Sequence, residues 1–305
     1  MLRFLLRRLL VAIPTLLLVI TASFFMMRAA PGGPFDSQRK LPPEVERNVK
    51  AKYGLDKPLA IQYLNYLGGV VHGDLGPSLK YKDKSVTDII KEDFPTSLRL
   101  GLSSLVIGVA FGVALGAIAA MRQNSALDYS LTTAAIFGIC IPTFVTAPLL
   151  ILLFGTTLGW LPTGGLSDAR SYILPVLTLA LPQIAVVSRL TRAGMIEVLH
   201  SNYIRTARAK GLSEARIVMR HALRAAILPL VGYLGPATAG IITGSLVVER
   251  IFGVPGLGKF FVSSALQRDY TVVLGVVILY AVLVILLNLA AEVVQALLDP
   301  RMRLS

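Results

Sequence analysis

Apolar residues in this chain come in long runs, each bounded by charged or turn-forming positions, and the runs are long enough to cross a bilayer. The first follows a basic opening that holds Arg3, Arg7 and Arg8. Leu9 to Met27 is 19 uncharged residues, about 28 Å at the helical rise. That run exceeds the roughly 7–15 residues of a signal-peptide core, so an uncleaved helix with its N-terminus inside is expected. Leu100 to Met121 is the second span, where Gly101, Gly108, Gly112 and Gly116 offer small positions against which another helix can pack closely. Ser130 to Phe154 is the third, and its Pro142 and Pro148 are expected to kink it. Tyr172 to Val187 has only 16 uncharged residues and holds Pro175 and Pro182. Its helix is expected to continue past Arg189 and Arg192, whose side chains can snorkel, into a cytoplasmic segment. Ala225 to Val248 is the fifth span, and its Pro229, Gly232, Gly235, Pro236, Gly240 and Gly244 suit a mobile pore-lining helix. Val272 to Ala291 adds a sixth run of 20 uncharged residues.

Between the first two spans the character changes. Ala30 to Pro95 carries ten Lys or Arg against nine Asp or Glu, with breakers at Pro31, Gly32, Gly33, Pro42 and Pro43, and reads as a small aqueous region. Pro43 can open a helix ending near Gly54, Pro58 to Leu67 offers another, and Ser85 with Asp88 resembles a capping box ahead of Ile89 and Ile90. Near neutrality suits the outer side, either as a plain solvated excursion or as a docking surface for a periplasmic partner. Arg122 to Asp128 reads as a tight inner loop, and Gly155 to Ser171, with Trp160, as an outer interface.

Composition narrows the class. At 54% hydrophobic and 15% charged, the chain is too apolar for an ordinary soluble fold. A net charge of +13 would suggest nucleic acid in a soluble protein. Here it is concentrated at the N-terminus and in residues 189–224, facing membrane lipid and cytoplasmic partners, so no nucleic acid is expected. A single cysteine, Cys140, excludes an intramolecular disulfide, and His72, His200 and His221 are scattered, so no metal is assigned. The expectation is an all-α, multi-pass membrane protein with six transmembrane helices and both termini cytoplasmic. Residues 1–29 would form the N-terminus and first span, 30–96 a helical insertion, 97–298 the membrane core, and 299–305 a cytoplasmic tail.

The most organised polar stretch is Tyr203 to Leu228, YIRTARAKGLSEARIVMRHALRAAIL. It reads as helix, turn, helix: Tyr203 to Lys210 has no breaker, Gly211 suits a left-handed cap, and the Ser213 hydroxyl can cap the next helix. Between Arg189 and Arg224 there are eight Lys or Arg against Glu197 and Glu214. A cytoplasmic loop obeying the positive-inside rule accounts for the charge. The glycine-punctuated hairpin, with small Thr206, Ala207 and Ala209 near its tip, adds a docking reading, because small side chains let a partner approach the backbone.

In the wording IRTARAKGLSEARIVMRHALR this segment resembles the EAA loop of ABC-importer membrane subunits, the dipeptide/oligopeptide permease branch in particular. Arg205-Thr206-Ala207 occupies the E-A-A position and Gly211 follows at the expected interval. Arg205 replaces the general motif's acid, and His221-Ala222-Leu223-Arg224 replaces its closing I-x-L-P, departures that the peptide branch shares. The opening LRFLLRRLL, the stretch FMMRAAPGGPF and the later ERIFGVPGLG extend the likeness, which is nearest to the B-type permease of oligopeptide importers. The resemblance implies a type I, binding-protein-dependent permease fold in the bacterial inner membrane. It also implies a second homologous permease, two cytoplasmic ATPase subunits, a periplasmic peptide-binding protein and a peptide substrate. ATP and magnesium would bind the ATPases, with no cofactor in this chain. Coupling to them would run through the 200–224 segment, with Arg205, Thr206, Ala207, Arg208, Gly211 and Leu212 as the contact residues.

Gly253 to Lys259, GVPGLGK, matches the start of a phosphate-cradling loop, but Phe260 stands where a magnesium-binding Ser or Thr belongs, so a Pro- and Gly-rich turn is expected instead. The spans hold no paired carboxylates and no Ser/His/Asp set, which weighs against an intramembrane hydrolase or a proton-coupled carrier. Glu249, Asn288 and Glu292 are candidates for lining a translocation path, against a plain role in interfacial solvation or helix packing. Three other readings stay open: a permease of the same family for nickel or another small solute, an ATPase-independent secondary carrier, and a membrane scaffold.

Overall fold

The computed structural model describes residues 2–29, 44, 51, 54–81 and 83–298. Most of the helix expected from Pro43 to near Gly54, and the tail at 299–305, fall outside that set. The regular structure among the described residues is helical, with one isolated bridge between Pro77 and Ser85. In chain order the helices are α1 (Leu2–Ala29), α2 (Leu59–Val71), α3 (Val86–Met121), α4 (Ala126–Cys140), α5 (Thr143–Leu150), α6 (Ile173–Leu199), α7 (Asn202–Ala209), α8 (Glu214–Arg216), α9 (Leu223–Ala226), α10 (Leu228–Phe252), α11 (Leu257–Gln267) and α12 (Tyr270–Leu298). Among the described residues, five stretches are long and apolar enough to cross a membrane: Arg8–Ala29, Val86–Met121, Ala169–Leu199, Leu228–Phe252 and Tyr270–Leu297.

A bent pair of helices makes a sixth when it is counted as one broken span. The expected third span is broken at Ile141 and Pro142, and its two halves, Ala126–Cys140 and Thr143–Thr157, meet at 105°. Proline has no N–H to continue the ladder, and its ring drives the preceding residue out of the helical region. Ile141 is accordingly extended, at φ −83° and ψ 116°. Pro142 then stands at the N-cap of α5, which contains Pro148 without a comparable break and runs on into a π-helical turn, Ile151–Thr157.

The chain divides into two compact units. One comprises the described residues of Met1–Thr96 with Pro255–Leu283, the other Ser97–Val254 with Val284 onward. In the first, Ser85 and Asp88 form the expected reciprocal cap: Asp88 N–H donates to Ser85 Oγ at 3.1 Å, and Ser85 N–H to Asp88 Oδ2 at 3.2 Å. Buried Asp269, just ahead of α12, accepts from Ser78 Oγ at 2.5 Å and from the N–H groups of Leu79 and Lys80, each at 3.2 Å. That carboxylate fastens the 77–81 loop to the start of the last helix. The Gly253 turn leads into α11, a helix that the Gly- and Pro-rich wording hides.

In the second unit the small positions of α3 do what their spacing suggests. A Cβ at Gly108 would lie 2.6 Å from Gln183 Cβ, at Gly112 2.6 Å from Val187 Cβ, and at Gly116 2.4 Å from the Ser188 carbonyl oxygen. One face of α3 therefore lies hard against α6. A core of Leu100, Ala147, Leu174, Leu179, Ile241 and Phe252 closes one region of the unit, with Val254 among its buried members. Gly232 and Gly235 of α10 are close-approach points rather than pivots, since Cβ atoms there would meet Gln295 at 2.8 Å and Ala291 at 2.7 Å.

Candidate functional site

The basic hairpin grows directly out of a span. α6 runs without interruption through Arg189 and Arg192 to Leu199, as its short apolar run requires, and a turn at His200 and Ser201 leads into α7. α7 ends in the reciprocal bonds of a Schellman cap, with Gly211 N–H to Arg208 O at 2.9 Å and Leu212 N–H to Ala207 O at 3.3 Å. Gly211 itself is at φ +75°, a conformation that glycine adopts without a Cβ penalty. Ser213 takes the N-cap position of α8, but its hydroxyl makes no capping bond, which corrects the expectation drawn from its type alone. Beyond α8 the chain passes through a π-helical turn, Ile217–Ala222, into α9.

The hairpin is held by a small core of its own. Ile204, Ile217 and Met195 are fully buried there with Val218, Ala222, Ala226, Ala117 and Ala120. Leu212 packs on its edge. Gly194 lets α9 approach α6 so closely that a Cβ would sit 2.5 Å from the Ala226 carbonyl oxygen. Ala207 belongs to this core at 8% exposure. Its small side chain admits the chain's own helices, because positions 204 and 207 share the inward face of α7. The outward face carries Arg205, Thr206, Arg208 and Ala209.

Electrostatics divide these residues further. Arg208 donates to Glu214 through Nε at 2.7 Å and Nη2 at 3.3 Å, a fork that ties α7 to α8 across the turn. The bond holds the Glu214 carboxyl below the usual carboxylate range and raises the Arg208 guanidinium. Arg208 is thus engaged within the hairpin. Arg205, Lys210, Arg216, Arg220 and Arg224 stand exposed around it, a cationic rim facing outward. Thr206 turns its hydroxyl back to the Asn202 carbonyl at 3.0 Å.

One ion pair next to the hairpin is not apparent from sequence spacing. Arg192 donates to Asp128 through Nε at 2.5 Å and Nη2 at 2.7 Å, joining the first turn of α4 to the cytoplasmic extension expected of α6. The two are 64 positions apart. A lone acid opening one apolar run, set against the bases Arg189 and Arg192 in the extension of another, is the signal that would have suggested it. Arg192 therefore meets a carboxylate, where snorkelling to the interface was expected.

The three path candidates are not assembled into one site. Glu249 is fully buried near the end of α10 and accepts from Ser245 Oγ at 2.7 Å. Asn288 and Glu292 are one turn apart on α12, and Asn288 Oδ1 sits 3.1 Å from where a Gly235 Cβ would be. Position 235 is 14 residues from Glu249 along α10, about 21 Å at the helical rise. Asn288 Oδ1 is buried with no hydrogen-bond partner among the described residues. A polar contact between α6 and α10, Tyr233 O–H to Gln183 Oε1 at 2.6 Å, lies among apolar surroundings that gave no hint of it.

Comparison with known proteins fits this architecture. Residues 112–304 match the family described as binding-protein-dependent transport system inner membrane component, and residues 1–101 match its N-terminal membrane component. The chain is 52% identical over 305 residues to the oligopeptide transport system permease protein OppB of Haemophilus influenzae, covering 99% of this chain and all of that protein. It is 42% identical over 304 residues to the dipeptide transport system permease protein DppB of Bacillus subtilis, covering all of this chain and 99% of that protein. Among solved structures, a chain of the MetNI methionine ABC transporter in an inward-facing conformation aligns with a TM-score of 0.59 at 16% identity, over 69% of this chain and 96% of its own length. That likeness is one of fold. With two matched segments and relatives aligned from end to end, the chain belongs to the family of inner membrane components of binding-protein-dependent transport systems.

Proposed function

We propose that this chain is the membrane-spanning permease subunit of an ATP-driven importer of oligopeptides or dipeptides. The observation that carries the reading is 52% identity sustained along 305 residues with a permease named for oligopeptide transport. In this reading the chain forms half of a translocation path with a second, homologous permease. Two cytoplasmic ATPases, binding ATP and magnesium, seat on the hairpin of α7 and α8, and a periplasmic peptide-binding protein delivers cargo from the other side of the membrane. Both termini and the hairpin then share the cytoplasmic face, in keeping with their positive charge. Catalysis belongs to the ATPases. This chain supplies no reacting group.

The hairpin suits a mechanical task. Its buried core and the Gly194 contact make α7, α9 and α6 one packed body, so a push on α7 is delivered to the helix that carries Gln183. A bistable bundle coupled in this way is enough to alternate access. Arg205 and Thr206 on the outward face are the contacts proposed for the ATPase, while Gly211 and Leu212 fix the turn. Gly211→Pro, or a bulky or charged residue at Ala207, is expected to abolish uptake while peptide capture by the binding protein is retained. Normal uptake by these variants at equal expression would contradict the coupling role. Uptake of a nickel salt in preference to a labelled peptide would replace the substrate, and uptake without any ATPase would favour a secondary carrier.

A further inference from the structure

A cavity of about 260 Å³ lies within the first unit, walled by the end of α1, by α2, by the 76–79 loop and by the start of α12. Three of its lining residues each keep a buried polar atom with no hydrogen-bond partner among the described residues: Arg28 Nε, Gln62 Oε1 and the Tyr66 hydroxyl. Buried polar groups in native proteins are paired with few exceptions, so three at one cavity call for an explanation. The surrounding geometry holds them in place. The Arg28 guanidinium lies over the rings of Phe24 and Tyr270, at 5.2 and 5.5 Å from their centroids. Gln62 donates its amide N–H groups to the Leu55 and Lys57 carbonyls at 3.2 and 2.6 Å, which leaves Oε1 as its free acceptor. Neighbouring Tyr63, by contrast, has its hydroxyl paired with Thr21 at 2.6 Å.

The chemistry of the three atoms defines what completes them. Arg28 and Tyr66 offer donors, and Gln62 offers an acceptor. Burial pushes the Tyr66 phenol well above its usual range, so it stays a donor throughout the physiological range. We propose that this cavity binds a small zwitterion, its oxyanion on Arg28 and Tyr66 and its ammonium on Gln62. Two sources share that chemistry: the carboxylate and amine of a free amino acid or short peptide, and the phosphate and amine of a phosphatidylethanolamine headgroup. Arg28 stands in the last turn of a span, where either can reach it.

The test uses the full-length chain, purified with the subunits that accompany it, in nanodiscs of phosphatidylglycerol. Glycylglycine is titrated by calorimetry, and in a second arm phosphatidylethanolamine is added to the disc and its retention read by native mass spectrometry. One of the two probes is expected to bind saturably, about 3- to 10-fold more weakly to Tyr66→Phe, which loses a single hydroxyl, and at least about tenfold more weakly to Arg28→Gln. Glycylglycine binding assigns the free solute, and selective lipid retention assigns the headgroup. Failure of wild type to bind either probe, or undiminished binding by Tyr66→Phe, overturns the proposal. A cavity that holds only water gives that null result, with Tyr66→Phe as heat-stable as wild type or more so.

Discussion

Breaking the Asp128–Arg192 pair is expected to cost different amounts depending on which partner is removed. The Asp128 side chain is 1% exposed and the Arg192 side chain 28%. Arg192→Leu strands a buried carboxylate, left with the Asn124 N–H at 2.9 Å and a long contact from Thr132 Oγ1 at 3.4 Å. Removing one partner of a buried pair in this way costs about 3–5 kcal/mol. Asp128→Leu leaves instead a guanidinium that already reaches solvent and can turn toward it, so about 1–3 kcal/mol is expected. The double variant removes both charges and should be more stable than Arg192→Leu alone, with non-additivity of at least about 1 kcal/mol. The assay is unfolding of the purified chain in mixed micelles with rising sodium dodecyl sulfate, followed by helical circular dichroism. Equal losses for the two single variants, or strict additivity in the double, would refute the burial argument.

Three further outcomes follow from the same reasoning. Gly116→Leu places a side chain where a Cβ already meets the Ser188 carbonyl oxygen at 2.4 Å, so α3 and α6 must separate. A loss of about 1–3 kcal/mol or more is expected, and an unchanged thermal midpoint would contradict the contact. Asp269→Asn turns an amide toward the Ser78, Leu79 or Lys80 donors. It should cost about 1–3 kcal/mol and speed limited proteolysis at the 77–81 loop. For Glu214, the folded carboxyl is held low by Arg208, so the fork's contribution is present above the ordinary carboxylate range and lost as pH falls through the lowered value. Hydrogen-exchange protection of residues 205–216 should fall in acid in wild type and stay flat in Glu214→Gln. Parallel curves would remove the fork from the account.

Local rules carried much of the fold, and distance explains what they missed. The length of the apolar runs set the spans, and a short fourth run flanked by arginines was enough to foresee that α6 continues to Leu199. Ser85 with Asp88, the glycines of α3, and Gly211 each act within a few residues or at a regular spacing, which is why they were legible. Pro142 was legible as a kink but not as a 105° break, because the angle depends on what the second half packs against. The Arg192–Asp128 and Ser78–Asp269 contacts join positions 64 and 191 apart, and only the folded chain pairs them. The hairpin was found from its wording and turn chemistry. That Ala207 lies on the inward face of α7 was not legible, because smallness does not say which side of a helix is inward. α11 was missed because glycine and proline at its start mask an ordinary apolar helix.

A permease driven by partner ATPases is tested most directly by transport in a defined membrane. The complex obtained by purifying this chain would be reconstituted into liposomes, with ATP on the hairpin side, the peptide-binding protein on the other, and a labelled oligopeptide as cargo. Uptake that requires both ATP and the binding protein, and that fails in Gly211→Pro, is the predicted result. Uptake that proceeds without ATP, or a complex that carries no ATPase, would contradict it.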